Sequence, residues 1–521
     1  MQIDFKEQWK EKNYEIFHRL YPELSRQDIM DVLDQDIKEH FIDPETIIVN
    51  DYMDDMTLKQ PLSVLYKFCK TDGPNKPILA GNGTLFYNQD RMQSPIADLI
   101  DERISARKKY QKIRDTFPQD SEEYDHYEMM QAEAKIRINS IYGSFGAATF
   151  QLYNMYTAAS TTGTAQSLIS TTGIAFESFI GNFVKFKSFG ECIVFMENIV
   201  QEEYVLNPQG IKQCRDKQEI YDLMINQFED DVFDEESCGD LLWDYIDRLS
   251  PEELTKIYYK NRIYKFLEND VVMNILIRVF NKIDDFNNPN SVPECAKEDL
   301  ELLWAYVKEY VFYNHAYNER INRLKNDRRE VVKVIDTDSN LIHVQPWVDF
   351  LEENLLPRCD THMDKDTTTF ACVNTLAFLV TSMLRSLLDK YCADCNVLER
   401  YWKRINMKNE FCFAKLLLSS VKKRYVAKII LREGRPIVKA EIKGNQKYPH
   451  VSGNRCMLYV NWQVKGEEPH HQNGVGNDRR KGTKVERSMR MDYAEIKALY
   501  NSSLYKVLRS INKPSSCSES P

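Results

Sequence analysis

The chain has 521 residues, enough to bury the cores of more than one domain, and its 43% hydrophobic and 28% charged content is that of a globular protein. No window offers the roughly 18 uninterrupted apolar residues of a membrane span, and the opening MQIDFK is unlike a signal peptide, so a cytoplasmic setting with no membrane role and 12 reduced cysteines is expected. A formal net charge of −10 excludes a uniformly basic surface, so any contact with nucleic acid must come from local clusters.

Along the chain, the first 60 residues carry helix-like apolar spacing, as at Ile29, Val32, Leu33 and Ile37. PILAGNG, from Pro77 to Gly83, breaks that pattern. SPIADLIDERISARKKYQKIRDTF, residues 94–117, then reads as a long helix with Ile96, Leu99, Ile100 and Ile104 as its apolar positions. After the turn-like FPQDSEEYD, a second helix runs through MMQAEAKIRINSIYG and stops at Gly143, which makes an antiparallel pair with the first. Residues 152–187 are rich in Ala, Ser, Thr and Gly, a composition that lets a helix pack closely on its neighbours. Between about 191 and 330 lies a charged, helix-patterned region with acidic clusters such as FEDDVFDEES and a loop at DDFNNPNSVPE; no chemistry is legible there.

VVKVIDTDSNLIHV reads as strand, tight turn and strand, because its flanks are β-branched or apolar and its centre tolerates turn geometry. Residues 371–405 are again helical, and KLLLSSVKKRYVAKIILREGRPIVKAEIKG makes two or three strands around the REGRP turn. The CxxC of Cys392 and Cys395 has no second ligand pair at zinc spacing and reads as a helix end. From about residue 464 the composition turns to Gly, Asn, Arg and Lys, as in a flexible basic loop.

Three places in this pattern suit chemistry. Asp336 and Asp338 lie one residue apart inside an apolar run, where two carboxylates ask for a compensating charge; a divalent metal supplies one, and a turn with solvated aspartates is the alternative. Lys135, Asn139 and Tyr142 are spaced by four and three, on one helix face, with Arg103 and Arg107 four apart on the partner helix; the same residues also suit ordinary half-exposed surfaces. Lys422, Lys423, Arg424 and Tyr425 follow an apolar strand and suit either a phosphate backbone or a solvated strand end.

Taken in order, a basic helix, KxxxNSxYG, DTDS in a hairpin and then KKRY make a series that resembles family B DNA polymerases, particularly those of large tailed phages, over roughly residues 77–445. The resemblance implies an α+β right-hand fold: an antiparallel palm sheet covered by helices, a two-helix fingers hairpin, a helical insertion and a partial thumb. The implied division is 1–80 as an N-terminal helical segment leading into the palm, 81–150 as fingers, and 151–190 as a palm helix. Residues 191–330 become the insertion, 331–430 the palm with DTDS and KKRY, and 431–521 the partial thumb and basic tail.

By position, the resemblance makes Asp338 the firmest catalytic ligand of two Mg²⁺ ions, with Asp336 beside it. Lys135, helped by Arg103 and Arg107, would bind the triphosphate of an incoming deoxynucleotide, while Asn139, Tyr142 and Gly143 would shape its pocket. An alternative register of the first helix pairs Arg107 with Gln111. Lys422, Lys423, Arg424 and Tyr425 would hold the primer strand of a primer-template DNA.

The family's DxxSLYPS motif is missing: HRLYPEL carries Leu20, Tyr21 and Pro22, but Ile16 stands where its aspartate belongs, and Asp34, Asp36 and Asp51 lack the accompanying residues. The space before the fingers is also short for a 3′-5′ exonuclease domain. These departures imply a split, truncated or diverged polymerase, with a second chain supplying the exonuclease and the missing aspartate, in host cytoplasm if phage-encoded. The rival reading is a catalytically inactive chain that binds primer-template or a replication partner.

Overall fold

A computed structural model describes residues 5–50, 56–118, 121–182, 185–206, 209–229, 232–283, 294–313, 329–335, 339–360, 363–407, 409–418, 425–432 and 435–443. The chain divides into two compact units, the first comprising 1–282, 294–361 and 379–407, the second 283–293, 362–378 and 408–521. Mixed helices and small antiparallel sheets make it an α+β protein.

The first unit opens with α1 (Phe5–Leu20) and α2 (Arg26–His40). Ser25 caps α2 in a reciprocal capping box with Asp28, and Ile29 and Leu33 turn inward. A hairpin that helical spacing does not foretell follows: β1 (Glu45–Asn50) pairs antiparallel with β2 (Met56–Pro61) ahead of α3 (Leu62–Cys69). The short pair β3 (Ile78–Leu79) and β4 (Leu85–Phe86) brackets the AGNG turn.

Next come the two long helices read from the sequence, α4 (Pro95–Arg114) and α5 (Glu122–Phe145), packed along each other. Proline at the first turn of α4 costs no hydrogen bond, and the Ser121 hydroxyl caps α5 by accepting from the Tyr124 N–H at 3.1 Å. The second helix passes Gly143 and ends at Gly146.

The small-residue stretch forms α6 (Met155–Phe179), capped by the Asn154 side chain at 2.8 Å from the Thr157 N–H. Its composition has the consequence expected of it. A Cβ on Gly81 would lie 2.9 Å from the Gly163 carbonyl oxygen, and one on Gly163 would lie 2.9 Å from Asn82, so the AGNG turn rests on bare helix backbone. Farther on, every residue from Thr171 to Phe179 is buried.

A helical core follows in α7 (Phe189–Val200), α8 (Lys217–Ile225), α9 (Glu235–Asp247), α10 (Pro251–Tyr259), α11 (Ile263–Leu267), α12 (Asp270–Asn281) and α13 (Glu294–Tyr310). Met196, Ile220, Tyr245, Phe266 and Phe280 are fully buried there, each worth roughly 1.5–3 kcal/mol relative to exposure. Arg19 ties α1 to this core through Glu197 and Glu253, both at 3.1 Å, while the Tyr245 hydroxyl donates to Glu197 at 2.6 Å.

The ribbon β5 (Val332–Ile335) and β6 (Asn340–Ile342) is antiparallel, with Ile335 opposite Asn340, and packs on α6. It precedes α14 (Gln345–Asn354). Helix α15 (Lys365–Asp394) is shared by the two units and α16 (Glu399–Trp402) belongs to the first. Long and apolar enough to cross a membrane by length and composition, α15 has 67% of its most apolar window buried inside the protein. Cys392 and Cys395 stand at its end as the sequence suggests, both free, with burial pushing the Cys392 thiol up to about 11.

In the second unit β7 (Phe411–Leu418), β8 (Tyr425–Arg432) and β9 (Arg435–Lys443) form a three-stranded antiparallel sheet in sequence order, the strands expected around REGRP. The sheets of the described residues have two or three strands each.

Candidate functional site

The site is best built from α4 and α5. Arg114, buried near the tip of this pair, donates to Glu128 at 2.6 Å and to Asp115 at 2.7 and 2.9 Å and sits over the Tyr124 ring. Burial opposes its charge, but the two carboxylates outweigh that cost and hold the guanidinium protonated more firmly than usual. One level down, Arg107 Nε donates to the Gln131 side-chain oxygen at 3.3 Å. Arg103 lies one helical turn before Arg107 on α4, and Lys135 one turn after Gln131 on α5. Both arginines are half-exposed and Lys135 is exposed.

Lys135, Asn139 and Tyr142 share an exposed face of α5, and among the described residues none of the three side chains makes a hydrogen bond or an ion pair. Arg137, off that face, is satisfied by Glu133 at 2.5 Å. A helix face that leaves one lysine, one amide and one phenol open presents a surface suited to an anion with a polar and a planar group attached. Beside them, a Cβ on Gly143 would meet nothing within 4 Å, so the described packing does not require a glycine there.

The second component is the β5–β6 hairpin. Asp336 and Asp338 fall in the connection between Ile335 and Asn340 and lie outside the described residues; the flanks, however, are firmly held. The Glu177 carboxylate of α6, 3% exposed, accepts from the backbone N–H of Glu330 at 2.9 Å, of Val331 at 3.1 Å and of Val332 at 2.6 Å. On the other strand, Asn340 Nδ2 donates to Thr172 Oγ1 at 2.8 Å. Sequence reasoning missed Glu177. The signal was available: a lone glutamate in IAFESF, inside an apolar helix, asks for a partner as insistently as DTD does in its strand.

Among the described residues no group of three or more His, Cys, Asp or Glu side chains could hold a metal ion. Asp34 and Asp36 are engaged with Lys10 at 3.0 Å and His40 at 2.9 Å, and Asp51 lies outside the described residues. HRLYPEL closes α1, with Ile16 buried and Arg19 turned to the α7–α10 core, so it forms no strand beside β5. Of KKRY, Lys422, Lys423 and Arg424 lie outside the described residues. Tyr425 opens β8 in the second unit, opposite Leu418 and Lys443, its ring 6.1 Å from that of Phe413.

The model of one protein family, described as divergent family B DNA polymerase, matches residues 23–312 and 298–446, together most of the chain. The chain belongs to this family. Searches of curated proteins and of solved structures returned no match. The family match bears out the resemblance carried by KIRINSIYG and VIDTDSNLI, and it makes a polymerase-related role the function of this divergent family B chain.

Proposed function

We propose that this divergent family B chain is a DNA-directed DNA polymerase, or the nucleotide-adding subunit of one, that extends a primer 3′ end with deoxynucleotides. The observation that supports it most is the shared attachment to α6: the α4–α5 pair leads directly into this helix, and the DTDS hairpin is bonded to it through Glu177 and Thr172. In this reading Lys135, Arg103 and Arg107 bind the triphosphate, and Asn139 and Tyr142 orient the sugar and base beside Gly143. Lys422, Lys423, Arg424 and Tyr425 hold the primer strand.

Asp338 and Asp336, both hard oxygen donors in a short hairpin connection, are the residues that would hold two Mg²⁺ ions. Bound there, Mg²⁺ would activate the primer hydroxyl and neutralise charge on the transferred phosphoryl group. A second polypeptide would supply the exonuclease and a third carboxylate, in the host cytoplasm of a phage.

A second reading is favoured by the missing DxxSLYPS motif, for which HRLYPEL offers only the end of a helix and a buried Ile16 in place of an aspartate: a chain that binds primer-template without extending it. Primer extension on a primed template with Mg²⁺ and four deoxynucleotides, comparing the wild type with Asp338→Asn, separates them. Extension abolished by the substitution supports a polymerase. Absence of extension from both, with primer-template binding retained, selects the second reading.

A further inference from the structure

A two-stranded ribbon is marginally stable by itself, and a metal site needs its ligands held to about 0.5 Å. Among the described residues β5 pairs only with β6, and that pairing is irregular between Val332 and Val334. The two strands therefore have to be held from outside the ribbon. Two buried polar contacts from α6 do this, one to each strand.

The stronger is Glu177. An ionised carboxylate is acceptor-only, and here it meets donors only: the N–H groups of Glu330, Val331 and Val332, at 2.6–3.1 Å. Burying a carboxylate costs several kcal/mol unless such bonds compensate, and replacing it with an apolar residue would in turn strand three N–H groups. Glutamine would also be wrong, since its amide N–H₂ would oppose a backbone N–H. The second contact is Thr172 Oγ1, buried, which accepts from Asn340 two residues beyond Asp338 and donates to the Ile169 carbonyl at 2.9 Å.

We infer that Glu177, assisted by Thr172, is a positioning residue for the hairpin that carries Asp336 and Asp338: it fixes the backbone where β5 begins, while Thr172 fixes Asn340 at the start of β6. This rests on the polymerase reading for the role of the turn, but the clamp itself acts on metal binding whether or not the chain extends primers.

The test uses the full chain and Mn²⁺ as probe. Free Mn²⁺ would be followed by electron paramagnetic resonance in the wild type, Glu177→Gln, Thr172→Val and the ligand control Asp338→Asn, with amide hydrogen exchange of residues 329–335 alongside. Loss of an outer-shell partner weakens metal binding about 10- to 100-fold. The expected result is Mn²⁺ binding weakened in that range by Glu177→Gln and less by Thr172→Val, faster exchange in β5, and primer extension with lowered kcat, little-changed deoxynucleotide KM and a raised Mg²⁺ midpoint. If Glu177→Gln fails to fold, Thr172→Val carries the same readouts.

Unchanged Mn²⁺ affinity and an unchanged Mg²⁺ midpoint in folded variants would overturn the clamp while leaving the polymerase reading in place. A wild type that binds Mn²⁺ through Asp338 but never extends primers would remove the polymerase reading, and weakened binding in Glu177→Gln would still support the clamp. A wild type that binds no Mn²⁺ overturns the clamp as well.

Discussion

Lys135 is where stability and function separate most cleanly. It is exposed, its side chain has no ion pair or hydrogen bond among the described residues, and it stands within α5, where alanine is at least as good a helix former as lysine. Lys135→Ala should therefore change stability by no more than about 0.5 kcal/mol. If the ammonium binds a triphosphate, its removal deletes a charge-assisted hydrogen bond worth about 1.5–3 kcal/mol, a loss of about 10- to 150-fold in kcat/KM for the deoxynucleotide. The assay is single-nucleotide primer extension at saturating primer-template, with thermal melting in parallel. Lys135→Arg should retain part of the activity because it keeps the charge. A kcat/KM within twofold of wild type would refute the assignment, and so would a melting temperature depressed enough to explain the loss.

Arg114→Met should loosen the tip of the α4–α5 pair by about 1–2 kcal/mol, since Glu128 and Asp115 are partly exposed and recover some hydration, and hydrogen exchange near residues 114–128 should accelerate. Gly81→Ala would force a methyl against the backbone of residues 163 and 164 and should cost about 1–3 kcal/mol by thermal melting. Arg19→Ala leaves Glu197 buried beside Tyr245 without its cation, and should destabilise by about 3 kcal/mol in denaturant titration. Burial raises the Glu253 carboxyl, but hydrogen bonds from Ser250 and Arg19 outweigh it and hold the group below its ordinary value. Its contribution is thus present above the usual carboxylate range and lost as pH falls through the lowered value, and Arg19→Ala should flatten the acid limb of the stability curve.

The helical pair, the aspartate hairpin and the REGRP strands were legible because each carries a local signal: 3.6-residue spacing in α4 and α5, β-branched flanks around Asp336 and Asp338, and a Glu-Gly pair between apolar runs at 433–434. The close packing of α6 was legible from composition, but its partners were not, since nothing in GTAQSL names the AGNG turn that lies on Gly163. The β1–β2 hairpin escaped notice because its register sets Ile47 opposite Lys59 and Ile48 opposite Leu58, a pattern too mixed to outweigh the helical spacing before it. Glu177 and Thr172 act on segments more than 150 residues away, and a separation of that kind leaves no periodicity to read.

Residues 163 and 177, which meet the AGNG turn and the aspartate hairpin respectively, are about 21 Å apart along one uninterrupted helix. That helix is a gauge block. Substitutions on its surface can accumulate, but inserting or deleting a single residue between those two points would swing one attachment about 100° around the axis relative to the other. Variation in the length of this protein should therefore gather in the connections between its other elements, while the interval from Gly163 to Glu177 keeps its count.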